Sequence, residues 1–540
     1  MRNIFKYQYK RYVGLALAAG IVAGLTSCSK FTELKPKNQV DENVVFTDSS
    51  YIELALNGVY NAATVGSYND TYSGRGYPFG AAAIEQDEMR GEDMVNLATF
   101  YEITYKAQYS TTSANNVAMW VNLYSLINQA NVFIEGIQAA AAKGIISAGK
   151  ELQLEGEARF LRALAHHELL IHFCRPYADG NGAKAGVPYR TLATNTVDKI
   201  QKNLSMPRGT VAEDYTQILT DLDFAEKNLS ATSRAFSKAT QGAAIALKTR
   251  IKLHMQDYAG VIAEAAKLGA DKPAPTSSIN SYALAADVTA PFASYGNNNN
   301  TESVFSIANS VAANGDVNGA LAPMFGPTST SGRGLVGMSP NLYNAKFFAA
   351  DDDRRKLMIR QTGAADVAKY VFSAKYTDYA NRSDWAPILR YAEVLLNAAE
   401  AYSRTGNNVQ AYNLLKVVHN RSNAKADQTS HLPDVMPGTI TDLTLAILNE
   451  RRVEFFAEGR RWPDLHRLAL DAKYGKGGIP AKVDPAALKI DGSDYDVNKT
   501  TPVATGIAAI EYSDYRFLWP FPATETASNP TLKAAQNPGY

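Results

Sequence analysis

Three glutamates spaced four residues apart, Glu450, Glu454 and Glu458, stand in the run Glu450-Arg-Arg-Val-Glu-Phe-Phe-Ala-Glu-Gly-Arg-Arg-Trp-Pro-Asp-Leu-His-Arg467. On a helix that spacing puts the carboxylates on one face. Carboxylates about 5 to 9.5 Å apart, one holding its proton through a raised pKa, are what glycoside hydrolysis needs. The neighbours argue against it. Arg451, Arg452, Arg460 and Arg461 crowd the acids, and nearby cations lower a carboxylate's pKa and strip the proton a general acid must carry. An ion-paired scaffold is the better reading, with Trp462 and Leu465 packing inward and Asp464 and Arg467 as further partners. No Gly-x-Ser-x-Gly or His-Glu-x-x-His motif is present. No catalytic residue is assigned, and no enzyme is expected.

A second acidic group, Glu85, Asp87, Glu88, Glu92 and Asp93, would offer oxygens to a calcium ion if the segment folded back as a loop. It lacks calcium-loop spacing, so a solvated acidic face is expected. His166, His167 and His172 do not share a tetrahedral site easily, because adjacent residues of a helix point in different directions. They read as helix surface or satisfied core. Neither a metal nor another cofactor is expected.

Aromatic rings are the other chemistry on offer: the chain has 30 Tyr and 20 Phe against 4 Trp. The stretch from Val65 to Gly80 interleaves Tyr68, Tyr72, Tyr77 and Phe79 with glycines and with Asn69, Asp70 and Arg75. Rings can stack on a sugar, amides and charges can reach its hydroxyls, and glycines let backbone come close. A packed loop fits the same residues equally well. Phe292 and Tyr295, beside Asn297 and Asn298, form a second candidate of this kind. Trp120, Trp385, Trp462 and Trp519 all fall inside or beside predicted helices or the sequence blocks quoted below, and are assigned to structure.

These residues need a scaffold, and periodicity supplies one. Apolar residues recur at helical spacing in Tyr51–Ala62, Trp120–Ala142, Glu151–Phe173, Val211–Leu229, Thr240–His254, Asp257–Leu268, Ile388–Arg404, Val409–Asn420 and Leu443–Glu458. In Leu395-x3-Ala399-x2-Tyr402-x8-Ala411-x3-Leu415 large and small residues fall where tetratricopeptide repeats place them. A mainly α fold of such hairpins is expected, with long loops and minor β structure at Ser303–Ile307.

At the N-terminus Arg2, Lys6, Lys10 and Arg11 precede a roughly 13-residue apolar run ending at Leu25-Thr-Ser-Cys28. That order is a secretory signal, too short to span a membrane. Its last residues resemble a lipobox, which makes Cys28 the expected lipidation site and leaves Cys174 without a disulfide partner. A net charge of +1 with no basic tract argues against nucleic acid. The expected divisions are a signal peptide (1–27), a lipid-proximal tether (28–45) and one domain (46–540) with halves near 46–240 and 300–540.

The Glu450–Arg467 block resembles the signature of the SusD/RagB family. Other blocks agree in order: Glu157-Ala-Arg-Phe-Leu-Arg-Ala-Leu-Ala165 with Gly186-Val-Pro188, Asp351–Arg355, Leu389–Tyr402, Trp519-Pro-Phe-Pro522 and Gln536-Asn-Pro-Gly-Tyr540. Ser29-Lys-Phe-Thr-Glu33 is less acidic than the family's surface-export tag. The resemblance implies a SusD-like fold on a tetratricopeptide scaffold, lipid-anchored outside the outer membrane. It implies a partner, a SusC-like TonB-dependent barrel, and a ligand, an oligosaccharide or in some members a peptide. It also draws the ligand-contacting loops toward Tyr68–Phe79 and Phe292–Tyr295.

Overall fold

The computed structural model describes residues 42–65, 76–360, 370–423, 430–489 and 491–540. Among the described residues, most helices of seven residues or more form where the apolar spacing places them. The helices of that length are α1 (Ser49–Val65), α2 (Ala81–Arg90), α3 (Ala114–Ala142), α4 (Ala148–Phe173), α5 (Val197–Leu204), α6 (Val211–Asn228), α7 (Gln241–His254) and α8 (Tyr258–Lys267) in the first half of the chain. In the second half they are α9 (Tyr391–Arg404), α10 (Asn408–Arg421), α11 (Leu443–Glu454) and α12 (Arg461–Arg467). Side-chain caps fix several starts. Ser147 accepts from Lys150 N–H at α4, and Thr210 with Glu213 forms a reciprocal capping box at α6.

Neighbouring helices pair as hairpins. In α9–α10 the small Ala399 and Ala411 are fully buried beside Leu395 and Leu415, and Gly406 turns the chain at a φ of +87°. The pairs α7–α8 and α9–α10 stack through α8 against α9, while α3, α4 and α6 pack together at the other end. One continuous apolar cluster runs through both halves, from Ile52 to Leu532. None of the described helices is long and apolar enough to cross a membrane.

Strands are short and pair in twos. β1 (Met94–Asn96) pairs antiparallel with β3 (Val336–Met338), and β2 (Ser303–Ile307) with β6 (Ala386–Arg390). Between them in sequence, β4 (Met358–Arg360) pairs with β5 (Val371–Ser373). The helix expected from Ile388 therefore starts only at Tyr391, because Ile388–Arg390 belongs to a ladder. The helix expected to reach Glu458 ends at Glu454, where Ala457 and Gly459 turn left-handed (φ +59° and +70°). Periodicity missed α2, α5 and α12, which are short; α2 is buried on every side and so shows no polar face.

Candidate functional site

The expected ion-paired scaffold is present, and its three glutamates draw their cations from outside the signature block. Glu454 accepts from Arg390 at 2.8 Å, Arg421 at 2.6 Å and Arg354 at 3.0 Å. Glu450 accepts from Arg354 at 2.6 Å and lies 2.8 Å from His419 Nδ1, while Glu458 accepts from Lys375 at 2.6 Å and Arg390 at 2.8 Å. Burial opposes charge on Glu450, yet Arg354 and His419 prevail and hold its carboxyl down at about 2. Burial likewise opposes charge on Glu454, and Arg421, Arg390 and Arg354 keep it well below the usual range. Neither group retains a proton for a leaving group.

Within the signature block Arg451 and Arg467 pair with Asp464, as expected, at 2.8 Å each, whereas Arg452 and Arg461 turn to the first acidic group. Arg452 binds Asp93 at 3.1 Å, Arg461 binds Glu92 at 3.0 Å, and the backbone N–H of Gly459 donates to Glu88 at 2.8 Å. Arg90 lies 3.5 Å over the Trp462 ring and donates to Phe517 O at 2.5 Å. The solvated acidic face expected at 85–93 is therefore a buried one: Glu85, Asp87, Glu88 and Asp93 are at most 4% exposed. These residues lock α2 onto α11 and α12 and so join the two halves. Burial raises Glu88 to about 8 and Glu85 far above its usual value. Both are fully enclosed, so no substrate oxygen reaches them.

Asp87, Glu168 and His172 each bring one possible ligand atom to within 4.8 Å of the others. Arg90 Nη1 lies 3.5 Å from His172 Nδ1, and a guanidinium can only donate. Nδ1 then keeps its lone pair, and the ring proton sits on Nε2, 3.3 Å from Asp87 Oδ1. A nitrogen carrying a proton does not ligate a metal, and with Arg90 and Arg460 alongside the group reads as core. His166 stacks on Tyr189 at 3.8 Å and His172 on Trp519 at 4.6 Å, both buried. Trp120, Trp385, Trp462 and Trp519 are all buried, as expected of structural residues.

Open space lies elsewhere. A cleft of about 370 Å³ is lined by Tyr77 and Phe100 and by Thr111, Thr112, Asn115 and Thr524, a volume typical of small-ligand sites. Phe100 is 37% exposed and meets Tyr101 edge-on at 4.8 Å. Gln86 Nε2 donates to Tyr77 Oη at 3.3 Å, which fixes that ring as one wall. Ala523 N–H donates to Thr111 O at 2.9 Å and closes the rim. Ala114 and Asn115 of the first turn of α3 line the cleft, and no side chain caps that turn, so its first N–H groups have no side-chain acceptor at the N-cap. None of the described lining side chains is charged.

The two aromatic stretches singled out in the sequence meet through intermediaries. A Cβ on Gly76 (φ +73°) would lie 2.8 Å from Gly319 O, so this glycine approaches protein backbone, not a ligand. The Gly319 loop continues to Asp316, paired with Arg382, and Tyr295 N–H donates to Ser383 O at 3.2 Å. Tyr295 is 60% exposed. Tyr77 lines the cleft, Phe79 is buried in the core, and Phe292 is half-buried against Tyr376, Lys375 and Arg390. Tyr68, Asn69, Asp70, Tyr72, Arg75 and Cys28 lie outside the described residues. Phe100 and the 111–115 corner were missed; the only sequence signal was a Thr-Phe-Tyr trio between two predicted elements.

Comparison with known proteins matches residues 292–540 to the SusD family. Residues 30–253 match a family described as starch-binding, associating with outer membrane. A SusD-like protein of Formosa agariphila is 24% identical over 494 residues, spanning 82% of this chain and 88% of that one. Among solved structures, a SusD superfamily protein from Bacteroides fragilis is 26% identical with a TM-score of 0.69, covering 90% of this chain and 99% of its own. Surface glycan-binding protein A from Bacteroides uniformis shares the fold at 19% identity and a TM-score of 0.66, with coverage of 90% and 99%.

Proposed function

The chain belongs to the SusD/RagB family, and from that premise we propose that it is a surface lipoprotein of the outer membrane that captures an oligosaccharide and passes it, unreacted, to a SusC-like TonB-dependent barrel. Residues 1–27 are the signal peptide, Cys28 carries the lipid, 28–45 form the tether, and 46–540 act as one ligand-binding domain facing outward.

The observation that carries this reading is the uncharged cleft between Tyr77 and Phe100. A sugar has an apolar C–H face that stacks on a ring and a rim of hydroxyls that need partners. Phe100 offers the ring, Thr111, Thr112, Asn115 and Thr524 offer hydroxyl and amide groups, and the first turn of α3 offers N–H donors. Segment 66–75, with Tyr68 and Tyr72, rejoins the described chain at Gly76, next to Tyr77, and Tyr295 lies on the surface connected to it through Ser383, Arg382 and Asp316. We assign ligand contact to these residues together. Phe79 and Phe292 support the surface from behind.

The test is a binding screen of the mature polypeptide against neutral polysaccharides, acidic polysaccharides and peptides. Binding to a neutral glycan is expected. Peptide binding alone would replace this reading with a peptide importer, and barrel binding without any small ligand would leave only a protein scaffold.

A further inference from the structure

Several of the large apolar side chains left in water lie near the start of the described chain. Tyr51 and Leu54, one helical turn apart on α1, are 38% and 62% exposed. Glu53 between them binds Lys150 at 2.7 Å, which brings the first turn of α4 alongside, where Leu152 is 38% exposed. Val44, 39% exposed, sits in the helical turn Glu42–Val45 just ahead of α1. Phe46 pins that turn to α3, its ring filling a notch that only Gly136 leaves open: a Cβ there would lie 2.3 Å from the ring. Around α3 from this notch, Glu135 holds Lys199 of α5, and α5 adds Val197 and Ile200, 73% and 36% exposed.

The described chain begins here, about 14 residues after Cys28. A chain of that length spans at most about 50 Å however it runs, which keeps this pole within reach of a lipid on Cys28. We propose that the pole formed by Val44, Tyr51, Leu54 and Leu152 rests on the lipid surface of the membrane, setting the orientation in which the domain presents its ligand cleft. The inference relies on the lipid-anchor reading above. A few apolar side chains are too weak to recruit a protein from solution, but a tethered one meets the surface at high effective concentration. A tyrosine at the edge of such a patch suits the interface, where its ring is buried and its hydroxyl stays wet.

All four native tryptophans are at most 7% exposed, so their emission is a shielded background common to both variants, and the difference from the parent chain reports the added surface tryptophan. The full lipidated chain carrying Leu54→Trp, and separately Val409→Trp at a position 75% exposed on the α9–α10 hairpin, would be reconstituted in phosphatidylethanolamine–phosphatidylglycerol vesicles containing a nitroxide lipid. We expect both variants to float with the vesicles, and the Leu54→Trp emission to shift blue and be quenched several-fold more than that of Val409→Trp. Flotation with equal quenching at the two positions would overturn the proposal and leave the anchor standing. Failure to float would remove the anchor and the proposal together.

Discussion

The junction of α2, α11 and α12 and the surface around the Tyr77–Phe100 cleft are both dense in polar groups, yet they use them in opposite ways. At the junction, charges are buried and bound to one another: Arg390 alone reaches Glu454 and Glu458 and pairs with Glu302. At the cleft, the described lining side chains are uncharged, and Phe100, Thr112 and Thr524 are open to solvent while Tyr77 is buried behind them. A buried charge cannot be left without its partner, so the junction tolerates little change. An exposed ring or hydroxyl loses only its contact with a ligand, so the cleft is free to vary in specificity while the fold persists.

The largest expected effect comes from breaking the junction. Arg390→Ala leaves the buried acids Glu302, Glu454 and Glu458 one cation short, and a loss of about 3–5 kcal/mol is expected, read as a lower urea midpoint. Next comes Phe100→Ala, which should cost about 1–3 kcal/mol of glycan affinity with little change in melting temperature. A destabilised Phe100→Ala protein, or an Arg390→Ala protein of normal stability, would erase the contrast between the two regions.

Acid and base should then divide the junction internally. Glu450 is held at about 2 in the folded state, against a higher value when unfolded. Its depressed value makes it stabilising above the unfolded pKa, and that contribution is lost as pH falls toward 2. Glu88 is raised by burial to about 8, so its contribution is complete below its unfolded pKa and is lost as pH rises through 8. Melting curves across pH should therefore decline on both sides, with Glu450→Gln flattening the acid limb and Glu88→Gln the alkaline one. The smallest effect is expected from Tyr295→Ala, whose ring lies at the edge of the surface: about 1 kcal/mol or less of affinity, since rim contacts count for little.

Much of the scaffold was legible in the sequence because amphipathic helices repeat their pattern: the long α3, α4 and α6 fall near their expected bounds. What escaped was contact between distant segments. The Glu85–Asp93 acids read as a solvated local feature and the block's arginines as self-paired, which holds for Arg451 on Asp464 but not for Arg452 and Arg461, which bind those acids. Their true relation, acid to arginine across some 360 positions of sequence, has no periodicity to reveal it. Strand β6 was hidden for the same reason, since its pairing with β2 overrides the helical pattern that begins at Ile388. Of the cleft, Tyr77 was visible as a ring among glycines, but Phe100, Thr111 and Asn115 come together only once α2 has folded beneath them.

The most direct test of the account is calorimetric titration of the mature chain and its Phe100→Ala variant with whichever neutral glycan the screen yields, beside their melting curves. The account predicts roughly five-fold or greater loss of affinity at an unchanged melting temperature. Unaltered affinity in a well-folded Phe100→Ala protein would contradict it and move the ligand away from this cleft.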